Sequence, residues 1–220
     1  MAAAVRARGH QAIVAPVMAV HMRTPAVDLA GVQAVLFTSA NGVRAFAAMR
    51  PPPPDMVACA VGAATARAAR DAGWARVDTA GGDVDALAAH VAATLTPDDG
   101  VLVHVSGAAA AGDLAAALAP HGFTVRRIVA YEVRPAPHLP EPARHALAAG
   151  AVDAVVLFSP RSARIFAELV GQAGLGSQAG AVTAFCLSQA VADALAGRLA
   201  CAIVVAPAPR TDDLLALLSA

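Results

Sequence analysis

The sequence predicts an α/β protein built from two similar parallel-sheet domains, and three observations carry that prediction. Short apolar runs alternate with Ala-rich segments of helical length, as in sheets covered by helices on both faces. Three pairs of segments also match in the same order at a nearly constant spacing. Residues 35–46 resemble 156–166, ACAVGAATARAA (58–69) resembles AFCLSQAVADAL (184–195), and DTAGGDVDALAAHV (78–91) resembles VAPAPRTDDLLALL (205–218). Finally, the first half carries an extra strand and helix, GVLVHVSGAAAAGDLAAAL (100–118), with no equivalent in the second half before Ala220. The N-terminal AAAVRARGHQAIVAP reads as the end of a helix, a turn at Gly9 and a strand, and fills that place. The expected division is a discontinuous domain, 1–18 plus 136–220, and an inserted domain, 23–130. Extended crossings at 15–22 and 128–136 form the hinge.

In chain order, the expected strands are 12–20, 33–38, 56–61, 76–79, 100–105, 124–133, 153–158, 181–187 and 201–206. Helices are expected near 2–8, 41–49, 64–72, 84–95, 111–119, 141–149, 161–170, 189–198 and 211–219. Asp83 suits the N-terminal cap of the fourth helix, and Thr211, Asp212 and Asp213 that of the last. The run PPPP (51–54) is a rigid connector.

Composition excludes several function classes. Net charge is zero, all 16 basic residues are Arg, and no basic run exists, so neither nucleic acid nor an anionic membrane surface is an expected partner. The three cysteines, Cys59, Cys186 and Cys201, form no CxxC pair and fit reduced, buried thiols. The seven histidines lack metal-ligand spacing, so no metal site is expected. The N-terminus has no continuous apolar stretch typical of a signal peptide, and a cytoplasmic location follows.

Hydroxyl and amide residues gather at the ends of the predicted strands: Thr38, Ser39 and Asn41, the turn from Gly62 through Ala63 to Thr65, and Ser159 with Ser162. Any one of these groups is explained as a helix cap. Several at one topological place, outside the carboxyl ends of parallel strands, point to a rim that binds anions or carboxylates. GAAAAG (107–112) lacks the Lys and Ser/Thr of a nucleotide-binding loop and is followed by Asp113, so a P-loop is rejected. Tyr131, the only tyrosine, lies on a predicted crossing. It reads either as a strand aromatic with its hydroxyl at the surface or as a phenol that donates a proton in the inter-domain cleft.

An ordered set of motifs spans nearly the whole chain: VAPVMAV (14–20), LFTSANGV (36–43), AVGAATA (60–66), VSG with the later DLAAAL (105–118), RRIVAYEV (126–133), VLFSPRSA (156–163) and APRTDDLLALL (208–218). Together they resemble the uroporphyrinogen-III synthase family. The resemblance implies two flavodoxin-like parallel-sheet domains joined by a two-stranded β ladder, with the active site between them. It implies a lyase that needs no cofactor and acts on hydroxymethylbilane, a linear tetrapyrrole bearing many carboxylates. The terminal hydroxyl leaves as water, ring D inverts through a spiro intermediate, and the ring closes as the type III isomer. A transient contact with the enzyme that makes this substrate is also implied. Tyr131 matches the family's tyrosine, which assists loss of the hydroxyl. Thr38, Ser39, Asn41, Gly62, Ala63, Thr65, Ser106, Gly107, Ser159, Ser162 and Ser188 are the expected substrate contacts, through hydroxyls and backbone N–H groups.

Two departures from the family pattern stand out. The family's opening strand, ending in Thr-Arg-Pro, has no counterpart before MAAAVRARG, so the discontinuous domain is expected to lack its first strand. A Gly-x-Thr-Thr-Ala turn reads here Ser188, Gln189, Ala190, Val191, Ala192, which removes one hydroxyl. The competing expectations are a catalytically weakened relative that binds a linear tetrapyrrole or another polycarboxylate, and a two-lobed sensor domain.

Overall fold

Backbone N–H and C=O groups in a strand need ladder partners, so which strands adjoin decides where the strand-end residues meet. The computed structural model describes residues 1–109 and 112–219. Two compact units emerge: unit 1 comprises Met1–Ala19 and Pro135–Ala220, and unit 2 comprises Val20–Arg134.

Unit 2 is organised by a six-stranded sheet. Its strands are β1 (Met18–Met22), β2 (Val32–Phe37), β3 (Val57–Ala60), β4 (Arg76–Thr79), β5 (Val101–Gly107) and β6 (Val125–Pro135), in the order β1-β6-β5-β2-β3-β4. β1 begins in unit 1 and β6 ends there. The pairs β2–β3, β2–β5, β3–β4 and β5–β6 are all parallel. Successive residues of a strand face opposite sides, so each covered strand feeds two cores. Val35, Phe37, Val103 and Val105 join one cluster, with Val43 and Phe46 of helix α2 (Ala40–Met49) and with Trp74. Ala34, Leu36, Cys59 and Leu102 join the other. There they meet Leu87 and Val91 of α4 (Val84–Thr94) and Leu114 and Leu118 of α5 (Leu114–Leu118). The remaining helix of this unit, α3 (Ala63–Asp71), follows β3. Burial on both faces explains why β2 and β3 read as unbroken apolar runs rather than as alternating ones. Gly42 lets α2 lie flush on the sheet, because a Cβ there would stand 2.7 Å from the Val105 carbonyl oxygen.

Unit 1 holds a three-stranded parallel sheet, β7 (Ala154–Leu157), β8 (Thr183–Cys186) and β9 (Ala202–Val205), in that order. Its helices are α1 (Ala2–Arg6), α6 (Glu141–Ala148), α7 (Pro160–Gln172), α8 (Gly176–Gly180), α9 (Gln189–Leu195) and α10 (Thr211–Ala216). One apolar cluster unites α6, α7 and α9 with Leu157, Ala184 and Cys186 of the sheet.

The strand expected at 12–20 begins only at Met18, and residues 10–17 belong to no sheet. β7 is the edge of its sheet and adds no ladder to this segment, which leaves Ile13 and Val14 exposed at 48% and 66%. Helix α8 was not expected, because its sequence GSQAG has a poor helix propensity that tertiary packing of Ala179 overrides. Arg210, not Thr211, occupies the cap position of α10; Asp213 pairs with Arg210 at 2.7 Å. Two residues of the GAAAAG stretch and of the helix expected at 111–119, Ala110 and Ala111, lie outside the described residues. Among the described residues no helix is long and apolar enough to cross a membrane.

Candidate functional site

The strand-end residues of unit 2 collect around the carboxyl ends of β2, β3 and β5. Ser39 caps α2: its Oγ accepts the Gly42 N–H at 3.3 Å. The same Oγ lies 2.7 Å from the phenolic oxygen of Tyr131, a hydrogen bond in which either hydroxyl can donate. Tyr131 is 8% exposed. Its ring rests on Gly107, where a Cβ would fall 2.9 Å from two ring carbons. Only glycine leaves room for the phenol at this point.

Tyr131 reaches Ser39 because of a break in register. β5 and β6 pair residue for residue from Leu102↔Val125 to Ser106↔Val129, and then Gly107 faces Tyr131. Ala130 is thus an extra residue, a β-bulge, which moves Tyr131 to the face already occupied by Ile128. In an unbroken ladder Tyr131 would point to the opposite side, away from Val105 and α2.

That opposite side holds a second polar group. Thr38 Oγ1 lies 3.1 Å from His104 Nε2. Arg127 donates from Nε to Ser106 Oγ at 2.8 Å, and from Nη2 to the carbonyls of Gly107 at 2.8 Å and Ala108 at 3.1 Å. His104, Arg127 and Asp113 line a cavity of about 470 Å³. Burial, and then the Arg127 charge, push the His104 imidazole down to about 4, while Asp113 acts in the other direction. His104 is therefore neutral at physiological pH. Asp113 caps α5 by accepting the N–H groups of Ala115 and Ala116.

The other expected residues divide by what their polar atoms already do. Asn41 Oδ1 accepts from Arg44. Gly62 begins α3 without a side-chain cap, so the N–H groups of Ala63, Ala64 and the buried Thr65 have no acceptor from a capping side chain. Ser106 is buried and committed to Arg127. In unit 1, Ser159 and Ser162 form a reciprocal capping box on α7, with Ser162 N–H donating to Ser159 Oγ at 3.1 Å. Ser188 stands at the cap of α9 but makes no side-chain cap bond. The hydroxyls of Thr38, Ser39, Ser106, Ser159 and Ser162 are thus already hydrogen-bonded within the protein, whereas the first-turn N–H groups of α3 have no capping side chain.

Cys59 and Cys186 are buried, and burial pushes their thiols up to about 12 and about 11, so neither is a nucleophile. No group of three or more His, Cys, Asp and Glu among the described residues is placed to hold a metal ion. Glu132, beside Tyr131, is paired with both Arg23 and Arg134. Sequence reading missed His104 and Arg127. A lone histidine inside the apolar run VLVHVS was the available signal for the first. Nothing local marks the second, whose partners are 19–21 residues away.

The family model for uroporphyrinogen-III synthase HemD matches residues 1–216. The chain belongs to the uroporphyrinogen-III synthase family. Membership places it among the enzymes of tetrapyrrole synthesis and favours that reading over a two-lobed sensor or a weakened binder. No curated protein matches the sequence. Among solved structures, the uroporphyrinogen-III synthetase of Helicobacter pylori superposes with a TM-score of 0.62 at 17% identity, over 91% of this chain and 89% of that one. A mutant uroporphyrinogen III synthase of the extremely thermophilic bacterium Thermus thermophilus matches with a TM-score of 0.49 at 21% identity, over 98% and 90%. The first likeness shows the common α/β fold.

Proposed function

We propose that this chain is a hydro-lyase that closes hydroxymethylbilane to uroporphyrinogen III, with inversion of ring D and loss of water. The family match over residues 1–216 carries the reading. The substrate brings its own leaving group, so the protein's task is to steer conformation and supply one proton. In this reading the Tyr131 hydroxyl gives its proton to the departing hydroxyl, which leaves as water. Ser39 then donates its own O–H to the phenolate oxygen, an orientation that the 2.7 Å contact permits. The uncapped amides at the start of α3 and the Ser188 hydroxyl are the donors we assign to substrate carboxylates. Thr38, Asn41, Ser106, Gly107, Ser159 and Ser162 shape the strand ends that carry those donors.

On the same reading, unit 1 is the discontinuous domain and unit 2 the inserted one, both flavodoxin-like, with β1 and β6 as the connecting ladder. The enzyme works in the cytoplasm without metal or cofactor and meets the enzyme that makes its substrate only transiently. The test is the isomer ratio formed from freshly generated hydroxymethylbilane, with products oxidised to porphyrins, separated, and compared with a no-enzyme control. A clear excess of type III is the expected result. Type I alone, at the spontaneous rate, overturns the proposal.

A further inference from the structure

Arg127, itself exposed, stands apart in how many acceptors its guanidinium joins: Arg6, Arg8 and Arg76 each bond one backbone carbonyl, whereas Arg127 bonds three groups. Arg23, Arg134, Arg144 and Arg210 each pair with a carboxylate, whereas Arg127 forms no ion pair among the described residues. Its planar fork instead binds three uncharged acceptors on consecutive residues: the Ser106 hydroxyl and the carbonyls of Gly107 and Ala108. Those residues are the place where the β5–β6 ladder loses register. A bulge leaves local backbone groups without ladder partners, and a guanidinium, with several donors in fixed geometry, can satisfy them together. On the other edge of the bulge, Ala108 N–H donates to the Tyr131 carbonyl at 2.8 Å, and Arg23 N–H donates to the Ala130 carbonyl at 2.8 Å. The bulge is therefore pinned from both strands.

We propose that Arg127 is a positioning residue for the reaction: it locks the bulge at Ala130 in the register that turns the Tyr131 phenol onto Ser39. The chain of contacts is short. Arg127 holds Gly107, Gly107 is the floor beneath the Tyr131 ring, and the ring's hydroxyl meets Ser39 at the start of α2. Freed from Arg127, the end of β5 can move relative to β6, and displacement of the phenol by about 1 Å is enough to cost up to about 100-fold in rate. This inference rests on the reading of Tyr131 as the proton donor.

The test uses the full chain as wild type and as the Arg127→Gln and Arg127→Lys variants, labelled with [13Cζ]tyrosine. Tyr131 is the only tyrosine, so each sample gives one phenol resonance. Far-ultraviolet circular dichroism and the emission of Trp74 establish that both variants are folded. Lysine keeps the charge but cannot bridge the three acceptors. Both variants are expected to move the resonance toward its position in Ser39→Ala, and to lower kcat by about 10-fold to 100-fold with KM within about twofold. An unmoved resonance overturns the proposal, as does an unchanged kcat. A raised KM at constant kcat overturns it too, since Arg127 would then be holding a substrate carboxylate. Full recovery in Arg127→Lys would mean that charge alone matters, which also overturns it. Should Tyr131→Phe turn over normally, the proton-donor reading fails, while the resonance still reports separately whether Arg127 positions the ring.

Discussion

The hydrogen bond between Ser39 and Tyr131 makes a quantitative prediction about unit 2. Ser39→Ala removes two interactions, the bond to the phenol and the cap on the Gly42 N–H. A part-buried pair of neutral hydroxyls contributes about 1 kcal/mol net, and loss of a serine N-cap costs about 1 kcal/mol. Tyr131 is 8% exposed, so hydration compensates little for its lost partner. Ser39→Ala is expected to destabilise unit 2 by about 2 kcal/mol and Tyr131→Phe by about 1 kcal/mol. The double variant should also cost only about 2 kcal/mol, which leaves a coupling of about 1 kcal/mol between the sites. Urea unfolding followed by Trp74 fluorescence measures this. Trp74 is the only tryptophan, buried against Phe37 and Phe46 at ring-centroid distances of 5.5 Å and 5.3 Å. Additive costs would refute the pairing. Turnover supplies an independent check on the chemistry: Tyr131→Phe should lower it severalfold with the fold intact, and an unchanged rate removes the acid role.

Gly107→Ala places a methyl group 2.9 Å from the Tyr131 ring, so the ring must give way. Unit 2 is expected to lose about 1–3 kcal/mol by the same unfolding assay; stability equal to that of the wild type would contradict the close approach. His104 makes stability depend on pH. Above about pH 6.5 its imidazole is neutral in both states and its contribution is fully present. As pH falls from about 6.5 toward 4, the unfolded chain takes up a proton that the folded chain resists, and up to about 3 kcal/mol is lost. His104→Gln should flatten that part of the stability profile, and a profile of unchanged slope would show that other groups cause it.

The alternation of apolar runs with Ala-rich segments located β2 to β9 within a few residues, and strands buried on both faces, as β2 and β3 are, advertise themselves by composition alone. Caps were legible for the same local reason: Asp83 accepts the Ala86 N–H at 3.0 Å, and Ser159 caps α7. Residues 12–17 were misread because their apolar character suits a strand, whereas strand formation also requires a neighbour, which the β7 edge does not provide. The bulge at Ala130 was invisible in the sequence. IVAYEV is apolar apart from Glu132 and carries no mark of an extra residue, and the lost register is a property of β5 and β6 together. Arg127 was missed with it, since its role depends on acceptors supplied by another strand.

The division of unit 1 into two pieces of chain also sets an order of assembly. Met1–Ala19 is synthesised first but cannot complete its core until α6, α7 and α9 have been made. Bringing the two pieces together from an unfolded chain means closing a loop of roughly 115 residues, at an entropic cost of about 4 kcal/mol. Unit 2 is continuous. Once it folds, β1 and β6 lie side by side, which brings the two ends of that loop together. The earlier-made unit thereby acts as a clasp for the later one. A lesion that loosens β1 or β6 would then be felt twice, as a less stable unit 2 and as a slower completion of unit 1.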